Sequence, residues 1–181
     1  MKTLKKIGLL LFVVITFIGC NKISDLLTIN IDDVDLTQTS NISVSGTQSA
    51  VAPRVIAAST QFTKTATLQL SQSDDLEDYL DNIKSIKLNT VMCKVTGVDN
   101  GVVQSLSLTA NPLNITKSLS TITVGVDMPV SFTDAELIKI AGSLLTNQQL
   151  EMVLKGTVSQ TPVSFNITTT LNADFVVKVI K

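Results

Sequence analysis

The segment IKSIKLNTVMCKVTGVDNGVVQSLSLTA, residues 83–110, carries the clearest signal for the fold of the chain. Apolar and polar residues alternate on both sides of residues 99–101, and a period of two is typical of half-buried β-strands. The tripeptide Asp-Asn-Gly at 99–101 is a strong turn signal. We therefore predict a β-hairpin that pairs residues 83–98 with residues 102–110.

The alternation in the first arm of this segment changes parity near Asn89 and Thr90. Ile86 and Leu88 occupy even positions before the change, and odd positions are apolar after it. A β-bulge would account for the change, and it would turn Cys93 toward the core. A buried free cysteine behaves as a small hydrophobe. Since no histidine or charge cluster is present to lower the thiol pKa, we expect Cys93 to be unreactive.

Further alternation predicts strands along most of the remaining chain. The apolar runs lie at residues 27–31, 42–44, 62–70, 119–126, 150–154, 163–167 and 175–179. Turn-forming residues separate them at 32–35, 46, 112, 161–162 and 171–174. Residues 47–58 contain Pro53 and Arg54 among many small residues, and we expect them to form a loop or an irregular edge.

Two segments have the spacing of short amphipathic helices. In the first, Ser73 is a good N-cap and acidic residues fill the following turn, which predicts a helix over 74–83. Its apolar stripe consists of Leu76, Leu80 and Ile83. In the second, Thr133 and Glu136 match the capping box, which predicts a helix over 134–146 that covers a sheet or one end of a barrel.

These elements together predict a mainly β protein with about eight to ten short strands. We expect residues 25–181 to form an antiparallel β-sandwich or a partly open barrel with one or two short covering helices. A helix-to-strand unit occurs at residues 74–98 and again at 134–158. This suggests two half-repeats that meet near residues 112–118.

The first 19 residues have the composition of a secretion signal. Three lysines precede an apolar run of about a dozen residues at 7–18. A helix needs roughly 20 apolar residues to cross a bilayer, so this run is too short for a membrane anchor. Residues 1–19 are therefore expected to be a signal peptide.

The end of this signal, Phe17-Ile18-Gly19-Cys20, resembles the lipobox of bacterial lipoproteins. The resemblance implies cleavage before Cys20, a diacylglycerol on its thiol, and usually a further acyl chain such as palmitate on the new amino group. Two or three such chains hold a protein firmly on a bilayer. Residues 20–24 would then be a lipid-anchored tether. The alternative is an ordinary signal peptide that is cut nearby and leaves Cys20 unmodified.

The residue after the cysteine bears on localisation. It is Asn21, whereas an aspartate there would resemble an inner-membrane retention signal. The resemblance therefore implies the cell envelope and the outer membrane of a Gram-negative bacterium. It leaves both faces of that membrane open, the periplasmic and the surface-exposed.

Composition argues against several classes of function. The leader holds three of the 14 basic residues and none of the 15 acidic ones, so the remaining chain is mildly acidic and a poor nucleic-acid binder. The chain has no histidine, which excludes Ser-His-Asp and Cys-His catalysis and removes the commonest metal ligand. It has no tryptophan and one tyrosine, so carbohydrate stacking is not expected. We predict no cofactor and no metal.

Three hypotheses for function follow from these residues. The first is a non-catalytic lipoprotein that binds an envelope partner or serves as scaffold through its Ser/Thr-rich sheet faces. The second is a carrier for an apolar ligand or lipid in a cavity between sheet and helix, for which a filled core is the alternative. The third, which we do not favour, is an enzyme that uses carboxylates such as Asp74, Asp75 or Asp78.

One acidic cluster raises the question of calcium. It consists of Asp32, Asp33 and Asp35, and it lacks the spacing of a calcium-binding loop. A solvated turn is the interpretation that we favour for it.

Overall fold

The computed structural model describes residues 28–45, 59–119 and 121–179. The predicted signal peptide 1–19, the lipidation site Cys20, the tether 20–24 and the predicted loop 47–58 lie outside the described residues.

The described chain forms two antiparallel four-stranded sheets and one α-helix. The first sheet has the order β1-β8-β3-β6 and the second the order β2-β7-β4-β5. The strands are β1 (Thr28–Val44), β2 (Thr60–Gln69), β3 (Ile83–Thr96), β4 (Val103–Asn111), β5 (Ile115–Leu119), β6 (Asp127–Pro129), β7 (Gln149–Val158) and β8 (Val163–Lys178). The helix is α1 (Asp134–Asn147), and two short 3-10 helices span Leu70–Gln72 and Glu77–Asn82. This confirms the predicted mainly β fold as an antiparallel β-sandwich.

The predicted hairpin across residues 99–101 is wrong. β3 pairs with β8 and β4 pairs with β7, so the two arms lie in different sheets. The turn is present, with the Val102 backbone N–H donating to the Asp99 carbonyl at 3.3 Å and Gly101 at a φ of 84°. It carries the chain from one sheet to the other. Alternation identifies which residues face the core, but it does not identify the pairing partner.

β1 and β8 are each one long strand where the sequence predicted two short ones. Leu171 and Ala173 keep the inward alternation of β8 through the predicted turn at 171–174. In β1 the predicted turn at 32–35 is a β-bulge, where the pairing with β8 shifts between Ile31 and Val34. The bulge absorbs the extra residues and the strand continues beyond it.

The bulge predicted in β3 is confirmed. The register of β3 against β8 shifts between Leu88 and Thr90, and Cys93 is completely buried. Burial raises the pKa of the Cys93 thiol to about 11, against a small opposing effect from the Thr169 hydroxyl, whose oxygen lies 3.8 Å from the sulfur. The thiol is therefore protonated at neutral pH, as expected for a packing residue.

The predicted strand over 119–126 is also wrong, because β5 ends at Leu119 and residues 121–126 are irregular. Ile122 and Val124 from this segment still pack partly against the core. The strand that follows, β6, is only three residues long.

One of the two predicted helices is confirmed. α1 begins at a capping box in which the Glu136 carboxylate accepts from the Thr133 N–H at 2.8 Å and the Glu136 N–H donates to the Thr133 hydroxyl oxygen at 3.4 Å. The helix predicted over 74–83 is instead a turn and a 3-10 helix, because Ile83 already pairs with Val177 as the first residue of β3. Short connections of this kind often adopt the 3-10 geometry.

The core lies between the two sheets and under α1, and it is filled. Its largest completely buried side chains include Phe175, Leu68 and Leu144. A void of about 10 Å³ beside Ile140 and Leu171 could hold one water molecule at most. At this point the described core residues therefore leave no room for a ligand.

Candidate functional site

A surface groove between α1 and the first half of β3 is lined mainly by apolar side chains. Its volume is about 520 Å³, which is within the range of small-molecule sites. We call it the helix groove. Its apolar walls are Ile86 and Leu88 on β3 and Leu137, Ile138, Ala141 and Leu145 on α1. Lys87 and Asp134 supply charge at its rim.

The helix groove exists because β3 has an incomplete set of neighbours. β8 pairs with β3 along its whole length, whereas β6 pairs only with Met92–Lys94. Residues 85–88 of β3 line the groove opposite α1, and β8 is the one described strand that pairs with them. A helix cannot complete a strand ladder, so apolar side chains of β3 and α1 stay partly accessible between them.

Ile138 is the residue in this groove that sequence reasoning missed. Its side chain is 71% exposed, the largest exposure of any bulky apolar residue described. Ile140 and Leu144 of α1 are buried in the core, whereas Ile138 lines the groove. A bulky apolar residue close to the capping box was the signal that the sequence offered.

An ion pair fixes the start of α1 against β5. The Lys117 ammonium lies 2.7 Å from a Glu136 carboxylate oxygen and 5.8 Å from the centre of the Phe132 ring. The hydrogen bond from Lys117, followed by the backbone bond from Thr133, lowers the pKa of Glu136 to about 2 from an ordinary 4.5. Glu136 therefore serves both as helix cap and as the partner of a neighbouring strand.

This pair predicts a defined dependence of stability on acid. A carboxylate whose pKa is depressed in the folded state stabilises it above the unfolded pKa, and this stabilisation is lost as pH falls from about 4.5 to about 2. The Glu136→Gln variant should therefore melt below the parent at pH 7, and the difference should disappear near pH 2. Thermal unfolding followed by circular dichroism across this range measures it.

Glu151→Gln is the matched control for that experiment. Glu151 is exposed on β7, and its carboxylate accepts from the Asn111 amide at 2.9 Å and not from a lysine. Its replacement should leave the melting temperature nearly unchanged. Equal losses in the two variants, or a loss at Glu136 that does not change with pH, would contradict the role of the ion pair.

The outer surface of the first sheet forms a second candidate site, the polar face, made by the outward side chains of β1 and β8. Matching side chains on the two strands hydrogen-bond to each other at 2.9–3.4 Å. The pairs are Thr37 with Thr170, Thr39 with Thr168, Asn41 with Asn166, and Ser43 with Ser164. The polar face is therefore uncharged along this ladder and rich in groups that both donate and accept.

At one end the polar face changes to a charged network around Asp174. Its carboxylate accepts from the Asp33 backbone N–H at 3.1 Å and from the Asn89 amide at 3.0 Å, and Lys87 lies 3.5 Å away. The first of these bonds is the main cause of the lowered pKa of Asp174. The carboxylate is committed to internal partners, so it is a structural element of the bulge region and not a free acid or base.

The remaining acidic candidates do not form a site. Asp32 and Asp33 lie exposed at the β1 bulge, and Asp74, Asp75 and Asp78 are exposed before β3. The described ranges contain no group of three acidic, cysteine or histidine side chains placed to hold a metal. Within the same ranges, no helix has the length and apolar character needed to cross a membrane.

Comparison with known proteins adds little. No family model matches the chain, and no curated protein matches it. Among solved structures, it is similar to that of infectious bursal disease virus Gt strain, with 12% identity, a TM-score of 0.26, and coverage of 83% of this chain and 33% of that chain. The VP2 subviral particle of the same virus matches with 10% identity, a TM-score of 0.25, and coverage of 83% and 32%. The chain thus spans about a third of the matched structures, and likenesses this low carry no argument.

Proposed function

We propose that the chain is a lipid-anchored protein of the bacterial cell envelope whose β-sandwich binds or supports partners without catalysis. The observation that carries the proposal is the lipobox-like Phe17-Ile18-Gly19-Cys20 placed eight residues before the first strand, at Thr28. Acyl chains on Cys20 would hold the protein on the membrane, and the outer membrane of a Gram-negative bacterium is the location that Asn21 favours.

The distance between anchor and domain supports this arrangement. Eight residues of extended chain span at most about 28 Å, and β1 begins directly afterward. The sandwich would therefore stay close to the membrane surface. At that distance the polar face can meet a partner in the same membrane, and its paired hydroxyl and amide groups suit recognition by hydrogen bonding.

Metabolic labelling tests the anchor. Cells that express the full chain are fed an alkyne-bearing palmitate analogue, and the purified protein is examined for incorporated label. The native chain should carry label and the Cys20→Ala variant should carry none. Cys93→Ala is the matched control, since the second cysteine is buried in the core and its loss should leave labelling intact. Label that persists in Cys20→Ala refutes the anchor at this position.

The helix groove favours a second candidate function, transport or presentation of an apolar ligand such as a lipid acyl chain. The support is its volume of about 520 Å³ and its walls of aliphatic side chains. The buried side chains that pack between the sheets favour the groove over the interior as the place for such a ligand.

Filling the helix groove tests this second function. Gly142 lines the groove, and a Cβ placed on it would meet no atom within 4 Å, so Gly142→Trp adds a large side chain without a clash at its base. Lipid extraction and mass spectrometry of the purified protein should find lipid with the native chain and less with this variant. Thr146→Trp, exposed on α1 outside the groove, is the control. Equal lipid in all three proteins, or none in the native one, argues against a carrier.

A further inference from the structure

We propose that the free edge of β1 pairs with the same edge of a second copy of this chain, which joins two sandwiches through one continuous sheet. The proposal rests on the described residues alone and does not require the lipid anchor. β1 is 17 residues long and has β8 as its single pairing partner among the described strands. An open strand edge of this length is a template for another strand.

The other three sheet edges are protected, which makes β1 the exception. β6 has three residues and includes Pro129, and β5 has five and includes Lys117. On β2, Lys64 has the same parity as the buried Phe62 and Ala66 but is itself exposed, so this edge carries a charge. Short strands, proline and charged side chains, especially lysine, are features by which proteins prevent edge pairing.

β1 has none of these features over its second half. Residues 36–44 contain no charge, no proline and no glycine. Their register against β8 is regular, since the one irregularity of β1 lies between Ile31 and Val34. This half of the strand is therefore regular, and its open side can accept a ladder of hydrogen bonds.

The sheet pattern identifies which backbone groups point to this open side. The Val91 carbonyl of β3 accepts a hydrogen bond from the β6 side at 2.8 Å. The backbone N–H and C=O of the next residue, Met92, therefore point to the opposite side, toward β8. Thr170, which pairs with Met92, points its own backbone groups toward β3. Backbone direction alternates along a strand, so Thr169 faces β1, and its partner Gln38 faces β8. The residues of β1 whose backbone groups point to the open edge are Thr37, Thr39, Asn41 and Ser43.

A second copy is the partner that this edge fits best. Antiparallel pairing about a two-fold axis at Ser40 sets Thr37 opposite Ser43 of the second copy and Thr39 opposite Asn41 of the second copy. All of these side chains can both donate and accept hydrogen bonds. The ladder that already joins β1 to β8 at 2.9–3.4 Å would thus continue across the interface.

Charge also favours two copies in this arrangement. Asp32, Asp33 and Asp35 are all at one end of β1. In the two-fold pair Asp35 lies opposite Ser45 of the second copy, so the acidic ends of the two copies are about 33 Å apart at roughly 3.3 Å per residue. That separation exceeds the screening length of about 8 Å at physiological ionic strength. Parallel pairing in register would instead bring the two acidic ends together.

The pairing is compatible with two anchors in one membrane. The two-fold axis of an antiparallel pair is perpendicular to the sheet, so the two Thr28 residues lie at the same height along it. Strands parallel to the membrane then let both tethers reach the same bilayer.

Charge substitution at the edge tests the proposal. The purified full chain, in detergent with bound detergent subtracted, is measured by size-exclusion chromatography with light scattering. We expect a mass of two chains for the native protein and one chain for Thr39→Lys and Thr39→Glu alone, because each sets like charges near the axis. A one-to-one mixture of these two variants should restore the mass of two chains.

Ser105→Lys is the matched control. Ser105 is exposed, and its hydroxyl lies 2.8 Å from that of Thr157, much as Thr39 lies 2.9 Å from Thr168. It is on the interior strand β4, so its replacement should leave two chains. A native protein with the mass of one chain overturns the proposal. A Thr39→Lys variant that keeps the mass of two chains would also overturn it. The same holds for a mixture of the two variants that keeps the mass of one chain.

Discussion

Replacement of Gly156 by alanine should destabilise the sandwich by about 3 kcal/mol or more, at the upper end of what overpacking costs. A Cβ at this position on β7 would overlap the backbone carbonyl oxygen of Ser105, and it would lie 2.6 and 2.8 Å from two ring carbons of Phe62. The ring can shift, but the carbonyl belongs to the neighbouring strand β4 and cannot move without disturbing the ladder. The total stability of a domain is about 5–15 kcal/mol, so the loss is large.

Urea unfolding of the purified protein measures this effect as a lower midpoint with an unchanged slope. Gly142→Ala is the matched control, because a Cβ there meets nothing within 4 Å on the exposed side of α1. Alanine is about 0.5–1 kcal/mol better than glycine inside a helix, so this variant should gain stability. An unchanged midpoint for Gly156→Ala would mean that β4 and β7 do not approach each other as described.

Removal of the Phe165 ring should cost about 3–5 kcal/mol, the usual range for deletion of a buried aromatic side chain. Phe165 is 2% exposed on β8, in the first sheet. Its ring meets that of Phe62 on β2, in the second sheet, edge to face at 81° with centroids 5.4 Å apart. Phe165→Ala therefore opens a cavity between the sheets and removes an aromatic pair worth about 0.5–1.5 kcal/mol in its own right.

Asn166→Ala is the control for this second prediction, and chemical denaturation again supplies the measurement. Asn166 is the next residue on β8 and points to the polar face, where its carbonyl oxygen accepts from the Asn41 amide at 3.0 Å. Loss of one exposed hydrogen bond should cost about 1 kcal/mol or less. Similar losses for Phe165→Ala and Asn166→Ala would show that the core does not lie on the side of β8 where the structure places it.

The sequence predicted which residues face the core better than it predicted which strands pair. Alternation in residues 83–98 correctly indicated the bulge near Asn89 and the burial of Cys93. The turn signal at Asp99–Gly101 predicted a hairpin, but β3 and β4 lie in different sheets. A turn of three residues can join two neighbouring strands of one sheet, or it can join a strand of one sheet to a strand of the other. The choice depends on distant strands such as β8, which local pattern does not reveal.

The same limit applies to strand length and to the candidate sites. The sequence predicted turns at the acidic residues 32–35 and at 171–174, which include Asn172 and Asp174. Both segments lie inside strands, because a bulge keeps the first in β1 and hydrogen bonds between the two segments hold the second in β8. The capping box at Thr133 was predictable because all its contacts are within four residues. The helix groove was not, since it arises from the missing neighbour of β3 beside α1. The open edge of β1 was not predictable either, because it follows from the order of the strands in the sheet.

The central claim, that this sandwich is held on a membrane through acyl chains on Cys20, is tested most directly by the intact mass of the protein. The protein is purified from its native membrane and measured by mass spectrometry, whole and after proteolysis. We predict a chain that begins at Cys20 and carries the added mass of a diacylglycerol, with or without a further acyl chain on its amino group. A mass that matches unmodified polypeptide, from whichever residue it starts, would contradict the claim.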